Sequence, residues 1–257
     1  MRIAVLSDIH GNLAALQAVI ADFARRGVDA VVNLGDSLSG PLLPRETAQF
    51  LMAQNWVHLA GNHERQVLNL DPQTCDPSDA YTRGQLGAAE LDWIASLKPF
   101  HRYSEEIFLC HGTPDHDAEY FLESVEPGRL RMATPEEIRQ RLGAIGAAVI
   151  VSGHTHVPRL MRSARGQMLV NPGSVGQPAW DDEQPVYHAV ENGAPDARYA
   201  IIEKEDSHWS AQLIAVPYDH EAMATLAGRH GRPDWEHILR HGYVPAPAAA
   251  PGGAVQA

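Results

Sequence analysis

Apolar residues along this chain follow two rhythms. Ile3 to Leu6 is a short unbroken apolar run, which predicts a buried strand. Leu13, Leu16, Val19, Ile20 and Phe23 then recur at helical spacing, with Asn12 as the N-cap and Gly27 as the stop. Ala30 to Leu34 predicts a second strand, Arg45 to Ala53 a helix, and Trp56 to Leu59 a third strand. Strand, helix, strand, helix, strand is the order that builds a sheet with parallel strands, so the expected class is α/β.

The pattern continues less regularly. Asp79 to Ser96 predicts a helix ending before Lys98-Pro99, Ile107 to Cys110 a buried strand, and Pro114 to Arg131 a loop-rich stretch. Thr134, with Glu137 three residues on, opens a helix that runs to about Leu142. Ala147 to Val151 is another strand, and shorter β-like segments lie around Leu160, Met168 to Val170 and Val186 to Val190. Arg198 to Glu203 and Trp209 to Ala215 alternate like a hairpin with one solvated face. Asp219 to Ala227 and Asp234 to Arg240 read as helices. Residues 1–244 are expected to form the domain. Residues 245–257 are Ala, Pro and Gly-rich, too poor in apolar surface to order themselves, and read as a flexible tail.

Composition narrows the function. The 257 residues are 44% hydrophobic and 20% charged, enough for a sizeable core. The net charge of -12, with no basic patch, points away from specific nucleic-acid binding. Bound cations would let an anionic substrate approach such a chain. Two cysteines without CxxC spacing suit a reducing compartment. The start, MRIAVLSDIH, has no signal-peptide pattern, and no apolar stretch reaches the length of a membrane span. A cytoplasmic location is the resulting expectation. An exposed hairpin edge leaves a homodimer open.

The chemistry sits directly after the strands. Asp8 and His10 follow the first, Asp36 the second, and Asn62, His63 and Glu64 the third. His111 follows the IFLC strand, and His154 and His156 follow AAVIV. Each group lies beside a glycine at the carboxyl end of its strand, the edge where open α/β sheets bind ligands. Taken singly, each has an ordinary reading as a cap or turn residue. Together they are a carboxylate, amide and imidazole set too large for one cation and suited to two.

Read in order, D-x-H, G-D, G-N-H-E, H-G and G-H-x-H resemble the signature of the calcineurin-like metallophosphoesterase superfamily, over Ile3 to about Val175 and more loosely beyond. That resemblance implies an α/β/β/α sandwich of two mixed sheets flanked by helices. It implies two divalent transition-metal ions, drawn from Mn, Fe, Zn or Ni. Asp8, His10 and His156 would hold the first, and Asn62, His111 and His154 the second, with Asp36 bridging them. A hydroxide between the ions would attack phosphorus. His63 would stand above the metals unliganded, orienting the phosphate or protonating the leaving oxygen. Glu64 could position His63, or pair with Arg65 instead.

The Asp-Arg-Gly of protein Ser/Thr phosphatases is missing: Asp36 is followed by Ser37-Leu38-Ser39. Gly40-Pro41-Leu42-Leu43-Pro44-Arg45-Glu46, Asn171-Pro172-Gly173-Ser174 and Gly231-Arg232-Pro233-Asp234-Trp235 are similar to the bacterial small phosphodiesterase branch. The implied activity is hydrolysis of a diester or monoester of a small phosphorylated molecule. A dinucleoside polyphosphate pyrophosphohydrolase is the alternative, ahead of a phosphoprotein phosphatase or a metal-binding scaffold. His116 and Tyr120 on the loop after His111, and Asn171, are the candidate substrate contacts. For Asn171 and Ser174 a structural turn is an equal reading. The late histidines, His188 among them, read as surface or packing residues, and Cys110 as a buried thiol.

Overall fold

The computed structural model describes residues 1–71 and 73–246. The chain opens with β1 (Arg2–Leu6), α1 (Leu13–Arg26), β2 (Ala30–Asn33), α2 (Pro44–Met52) and β3 (Val57–His58). Three helices follow: α3 (Asn62–Leu68), α4 (Pro77–Gln85) and α5 (Ala88–Ser96). Next come β4 (Phe100–Arg102), β5 (Ile107–Cys110), β6 (Glu123–Glu126), β7 (Gly128–Met132), α6 (Pro135–Leu142) and β8 (Val149–Val151). The last third holds β9 (Arg159–Arg162), β10 (Met168–Asn171), β11 (Ala179–Asp182), β12 (His188–Glu191), β13 (Ala197–Glu205) and β14 (His208–Val216). A helical pair, α7 (His220–Arg229) and α8 (Pro233–His241), closes it.

Two mixed five-stranded sheets form the centre, in the orders β14-β13-β1-β2-β3 and β4-β5-β8-β10-β9. Their packing follows from strand alternation. Ile3 and Val5 of β1 face inward with Val32, Ile107, Val149 and Val170, so one apolar layer joins both sheets. Ala4 and Leu6 face outward onto Leu16, Val19 and Phe23 of α1. Phe108, Cys110 and Ile150 face outward onto Ile138 and Leu142 of α6. The result is the expected α/β/β/α sandwich. β1, β2 and β3 are parallel, as are β5, β8 and β10. Their carboxyl ends carry the ligand motifs.

Some elements depart from the pattern that the sequence predicts. A third sheet, β11-β12-β7-β6, includes a hairpin drawn from the stretch expected to be loop. Its strands carry polar residues on both faces (Glu123, Ser124, Arg129, Arg131), which hides a strand from periodicity. The single helix expected over Asp79 to Ser96 is two, divided at Leu86-Gly87, where Glu90 caps the Gly87 backbone N–H at 2.9 Å. The helix α3 is an addition to the expected elements. The tail expected from residue 245 lies, from 247 on, outside the described residues. No helix among the described residues is long and apolar enough to cross a membrane.

Candidate metal centre

The loops after β1 and β2 run side by side. Asp8, His10 and Gly11 donate their backbone N–H groups to the carbonyls of Gly35, Asp36 and Ser37, each at 3.0 Å. This forces unusual backbone angles. Among the described residues, six non-glycines have positive φ, and five of them are Asp8, His10, Asp36, His154 and His156. A left-handed non-glycine residue costs free energy and persists where its surroundings fix it. The flanking glycines are needed for closeness. A Cβ on Gly61 would lie 2.2 Å from Asp36 Oδ1, and one on Gly153 1.9 Å from Ser7 Oγ.

Six of the side chains fall into two groups: Asp8, His10 and His156, and Asp36, His111 and His154, with ligand atoms inside 4.8 Å of one another in each. Asp8 and His111 are fully buried, and Asp36 and His10 nearly so. The groups adjoin, since His111 Nε2 is 4.0 Å from Asp8 Oδ1. Asn62 joins the second group, its Oδ1 3.1 Å from His111 Nε2 and its amide nitrogen donating to Gln66 Oε1.

Each of the four histidines spends one ring N–H on a backbone carbonyl. His10 Nδ1 donates to Ser39, His156 Nδ1 to Gln177, His111 Nδ1 to Leu34 and His154 Nε2 to Ala118, at 2.6, 2.9, 2.9 and 3.1 Å. Such bonds fix the tautomer and ring angle of metal-ligating histidines. The second ring nitrogens turn inward, and His111 Nε2 meets Asp36 Oδ2 at 3.0 Å; burial disfavours charge on His111, but Asp36 outweighs this and lifts it to about 9. His10 Nε2 and His156 Nε2 lie 3.1 Å apart, with Asp8 Oδ1 3.2 Å from the latter. Asp8 Oδ1 is buried with no hydrogen-bond donor. Two imidazole nitrogens and a carboxylate oxygen converge there, a donor set that fits a cation. Neutral imidazole with carboxylate suits first-row transition metals.

Burial, with His156 nearby, pushes His10 down to about 3; burial and His111 push His154 to about 4. Both rings are therefore neutral and able to bind metal. Burial opposes ionisation of Asp36, but His111 and His63 hold its carboxyl well below the usual range.

His63 lies beside the groups rather than within them. Its Nδ1 donates to Asp79 Oδ1 at 2.8 Å, leaving Nε2 for other chemistry. Burial disfavours its charge, but Asp36 and Asp79 outweigh this and lift His63 to about 10. Cations beside Asp36 would offset that carboxylate's share and bring the value down. Glu64 takes neither expected role, positioning His63 or pairing with Arg65. Glu64 accepts from the backbone N–H groups of Asp36, Ser37 and Gly61 at 2.9, 2.8 and 2.7 Å, tying together two ligand loops. Arg65 pairs with Asp117.

The two groups open into a cleft of about 900 Å³. One wall comes from the third sheet, with Ser124, Trp180 and Asp182, and the other from α8, with Arg232, Trp235 and Ile238. Of the three candidate substrate contacts, Tyr120 lines this cleft, its hydroxyl donating to the buried His188 Nε2 at 2.9 Å and its ring 5.2 Å from His154. His116 is not among the lining residues, and its ring is exposed at the loop tip. Asn171 is buried behind the ligand loop, where its amide donates to Gly153 O and Thr155 Oγ1 at 2.7 and 3.0 Å. Ser174 Oγ similarly holds the Asp8 carbonyl at 2.7 Å. Sequence patterning assigns no role to Asp79, Trp180 or Arg232. Asp79 has no local signature, whereas Arg232 lies within the Gly231-Arg232-Pro233-Asp234-Trp235 motif, which does stand out.

Comparison with known proteins agrees with this geometry. Residues 1–193 match the family model of the calcineurin-like phosphoesterase superfamily domain. An uncharacterized protein of Methanocaldococcus jannaschii is 25% identical over 258 residues, covering 91% of this chain and 94% of its own. The crystal structure of a metallophosphoesterase from Sphaerobacter thermophilus aligns with a TM-score of 0.71 at 25% identity, covering 91% of this chain and 95% of that one. A hypothetical protein from Pyrococcus horikoshii shares the fold, with a TM-score of 0.70 at 20% identity over 95% of this chain and 99% of that one. The chain belongs to the calcineurin-like phosphoesterase superfamily and is a metal-dependent phosphoric ester hydrolase.

Proposed function

We propose that this chain hydrolyses phosphodiester or phosphomonoester bonds of a small phosphorylated molecule, using two divalent transition-metal ions. Asp8, His10 and His156 hold one ion, Asn62, His111 and His154 the other, and Asp36 serves both. The observation that carries this reading is the pair of inward-facing imidazole nitrogens, His10 Nε2 and His156 Nε2, 3.1 Å apart with their opposite nitrogens committed to carbonyls.

When bound, such cations lower the pKa of a water towards neutrality and neutralise charge on the phosphoryl oxygens. The chain supplies the rest. His63, steered by Asp79, turns Nε2 to the leaving oxygen and gives it a proton, worth typically ~10²–10⁴-fold. Glu64 keeps the Asp36 and Gly61 loops in register. Tyr120 and Trp180 offer ring faces to the organic part of the substrate.

Hydrolysis of a dinucleoside polyphosphate is a second reading, favoured by a cleft of about 900 Å³, roomy for a simple monoester. The test is turnover of bis-p-nitrophenyl phosphate, p-nitrophenyl phosphate and a dinucleoside tetraphosphate, each with manganese and with chelator. Chelator-sensitive cleavage of the first supports a phosphodiesterase. Cleavage of the tetraphosphate alone moves the assignment to a pyrophosphohydrolase. No cleavage of any, with metals bound, rejects both.

A further inference from the structure

The cleft is acidic. Asp76, Glu119, Glu123, Asp181, Asp182 and Asp234 line it, in a chain whose net charge is -12. An anionic substrate is repelled by such a wall unless fixed positive charge stands within it. Two arginines do so among the lining residues, Arg141 and Arg232. Arg141 is committed: Nη1 donates to the carbonyls of Phe121 and Glu123 at 3.1 and 2.9 Å, and Nη2 to Ser124 Oγ at 2.8 Å.

Arg232 is differently held. Its Nε and Nη2 donate to Asp234 along one edge of the guanidinium, at distances down to 2.6 Å. Its Nη1 donates to Ser78 Oγ at 3.0 Å, a neutral acceptor. A guanidinium carries five N–H donors, so the Nη1 and Nη2 side keeps capacity for a charged oxygen. An anionic oxygen there would be a stronger acceptor for the guanidinium than the neutral Ser78 hydroxyl that it would displace.

Its position says which part of a substrate it meets. The guanidinium carbon is 6.0 Å from the Trp235 ring centroid, and that ring is 6.1 Å from the ring of His10. The Trp235 indole thus neighbours both Arg232 and a ligand histidine, and Arg232 lines the same cleft. Ser78 precedes Asp79, which steers His63. Arg232 thus stands on the side of the group that protonates the leaving oxygen.

We propose that Arg232 binds a second anionic group of the substrate, carried by the leaving portion on the His63 side of the cleft. This rests on the phosphoesterase reading above. It selects substrates whose leaving portion is itself charged, such as a nucleoside polyphosphate or a phosphorylated alcohol, over those that leave as a neutral alcohol. Asp234 holds the arginine in place and competes with that anion.

The test uses the manganese-loaded full chain and the variants Arg232→Gln, Arg232→Lys and Asp234→Asn. KM and kcat are measured on diadenosine tetraphosphate and bis-p-nitrophenyl phosphate. Binding of adenosine 5′-diphosphate is measured separately by calorimetry in excess manganese. Arg232→Gln is expected to raise KM for the tetraphosphate at least about tenfold more than for the diester, with partial rescue by lysine. Asp234→Asn is expected to tighten adenosine 5′-diphosphate binding while Arg232→Gln weakens it. A purely structural role would move both variants the same way, so effects of one sign, or equal effects on both substrates, overturn the proposal. If the parent protein cleaves neither substrate but the two variants still shift binding in opposite directions, the phosphoesterase reading fails and the anion site stands.

Discussion

His63 and Asp79, sixteen positions apart, meet through a 2.8 Å hydrogen bond from Nδ1 to Oδ1, and Ser39 Oγ braces the same oxygen at 2.6 Å. The pair fixes the ring angle, while the His63 backbone N–H donates to Asp36 Oδ1 at 2.9 Å. His63→Ala is expected to cut kcat by about 10²-fold or more with metal content unchanged. Asp79→Asn should cost less, about tenfold, through a misaligned ring. Elemental analysis beside turnover checks both. Metal loss in His63→Ala would make His63 a ligand instead.

Asp36 faces His111 Nε2 at 3.0 Å, and its charge also acts on His10 and His154. Asp36→Asn is therefore expected to lower affinity for both ions together. Metal titration followed by calorimetry reads this directly, and two ions held at parental affinity would exclude a shared role.

Glu64 takes three backbone N–H groups with one carboxylate. Removing it leaves buried donors unmet, at about 1–3 kcal/mol. Glu64→Ala should lower the urea midpoint in chelator and weaken metal binding about 10–100-fold, since the ligand loops lose their tie. A variant with unaltered metal affinity would show that the loops hold register by themselves.

Burial pushes His58 down to about 4, and its Nε2 is buried without a hydrogen-bond partner. In the unfolded chain a histidine titrates near ~6.5. Between those values the unfolded chain takes up a proton that the folded protein refuses. Stability from this source is whole above about 6.5 and is lost as pH falls from there to about 4. His10 and His154 shift in the same direction, so His58→Gln should remove one share of the acid-side slope, not all of it. Denaturant midpoints across pH 4 to 7 in chelator, the range set by these shifts, decide it; parallel curves for parent and variant would refute the assignment.

Cys110 is buried between the β5 backbone and α6, and burial pushes its thiol far above the usual range. Cys75 is partly exposed. A thiol reagent at neutral pH is expected to modify Cys75 alone in the native protein and both in denaturant. Rapid native modification of Cys110 would mean that this layer opens readily.

The metal centre is legible in the amino-acid sequence because its constraints are local. A ligand after a strand, next to a glycine that permits close approach, is a pattern of neighbouring residues, as at Gly61-Asn62 and Gly153-His154. The sandwich is legible for a similar reason: apolar runs such as Ile107 to Cys110 are buried on both faces. The cleft walls are not. Two strands of the third sheet, β6 and β7, carry Glu123, Ser124, Arg129 and Arg131, so nothing in their periodicity marks them. α3 starts at Asn62 under a glycine cap, with polar residues over its first turn. Asp79 reaches His63 through tertiary packing, which no spacing rule encodes. His116 is competent by residue type and loop position, yet that loop turns its ring to solvent.

The position of β13 has a consequence for how this protein is made. β1 pairs on one side with β2 and on the other with Ala197–Glu205. Until those late residues emerge, β1 presents an unpaired edge of an apolar strand, open to other nascent chains. Translation of roughly two hundred residues takes about 10–40 s at bacterial-range rates. A stop codon placed before β13 is thus expected to yield aggregated fragments even though every metal-ligand residue has already been synthesised. Completion of the sheet therefore lags synthesis of the candidate metal ligands.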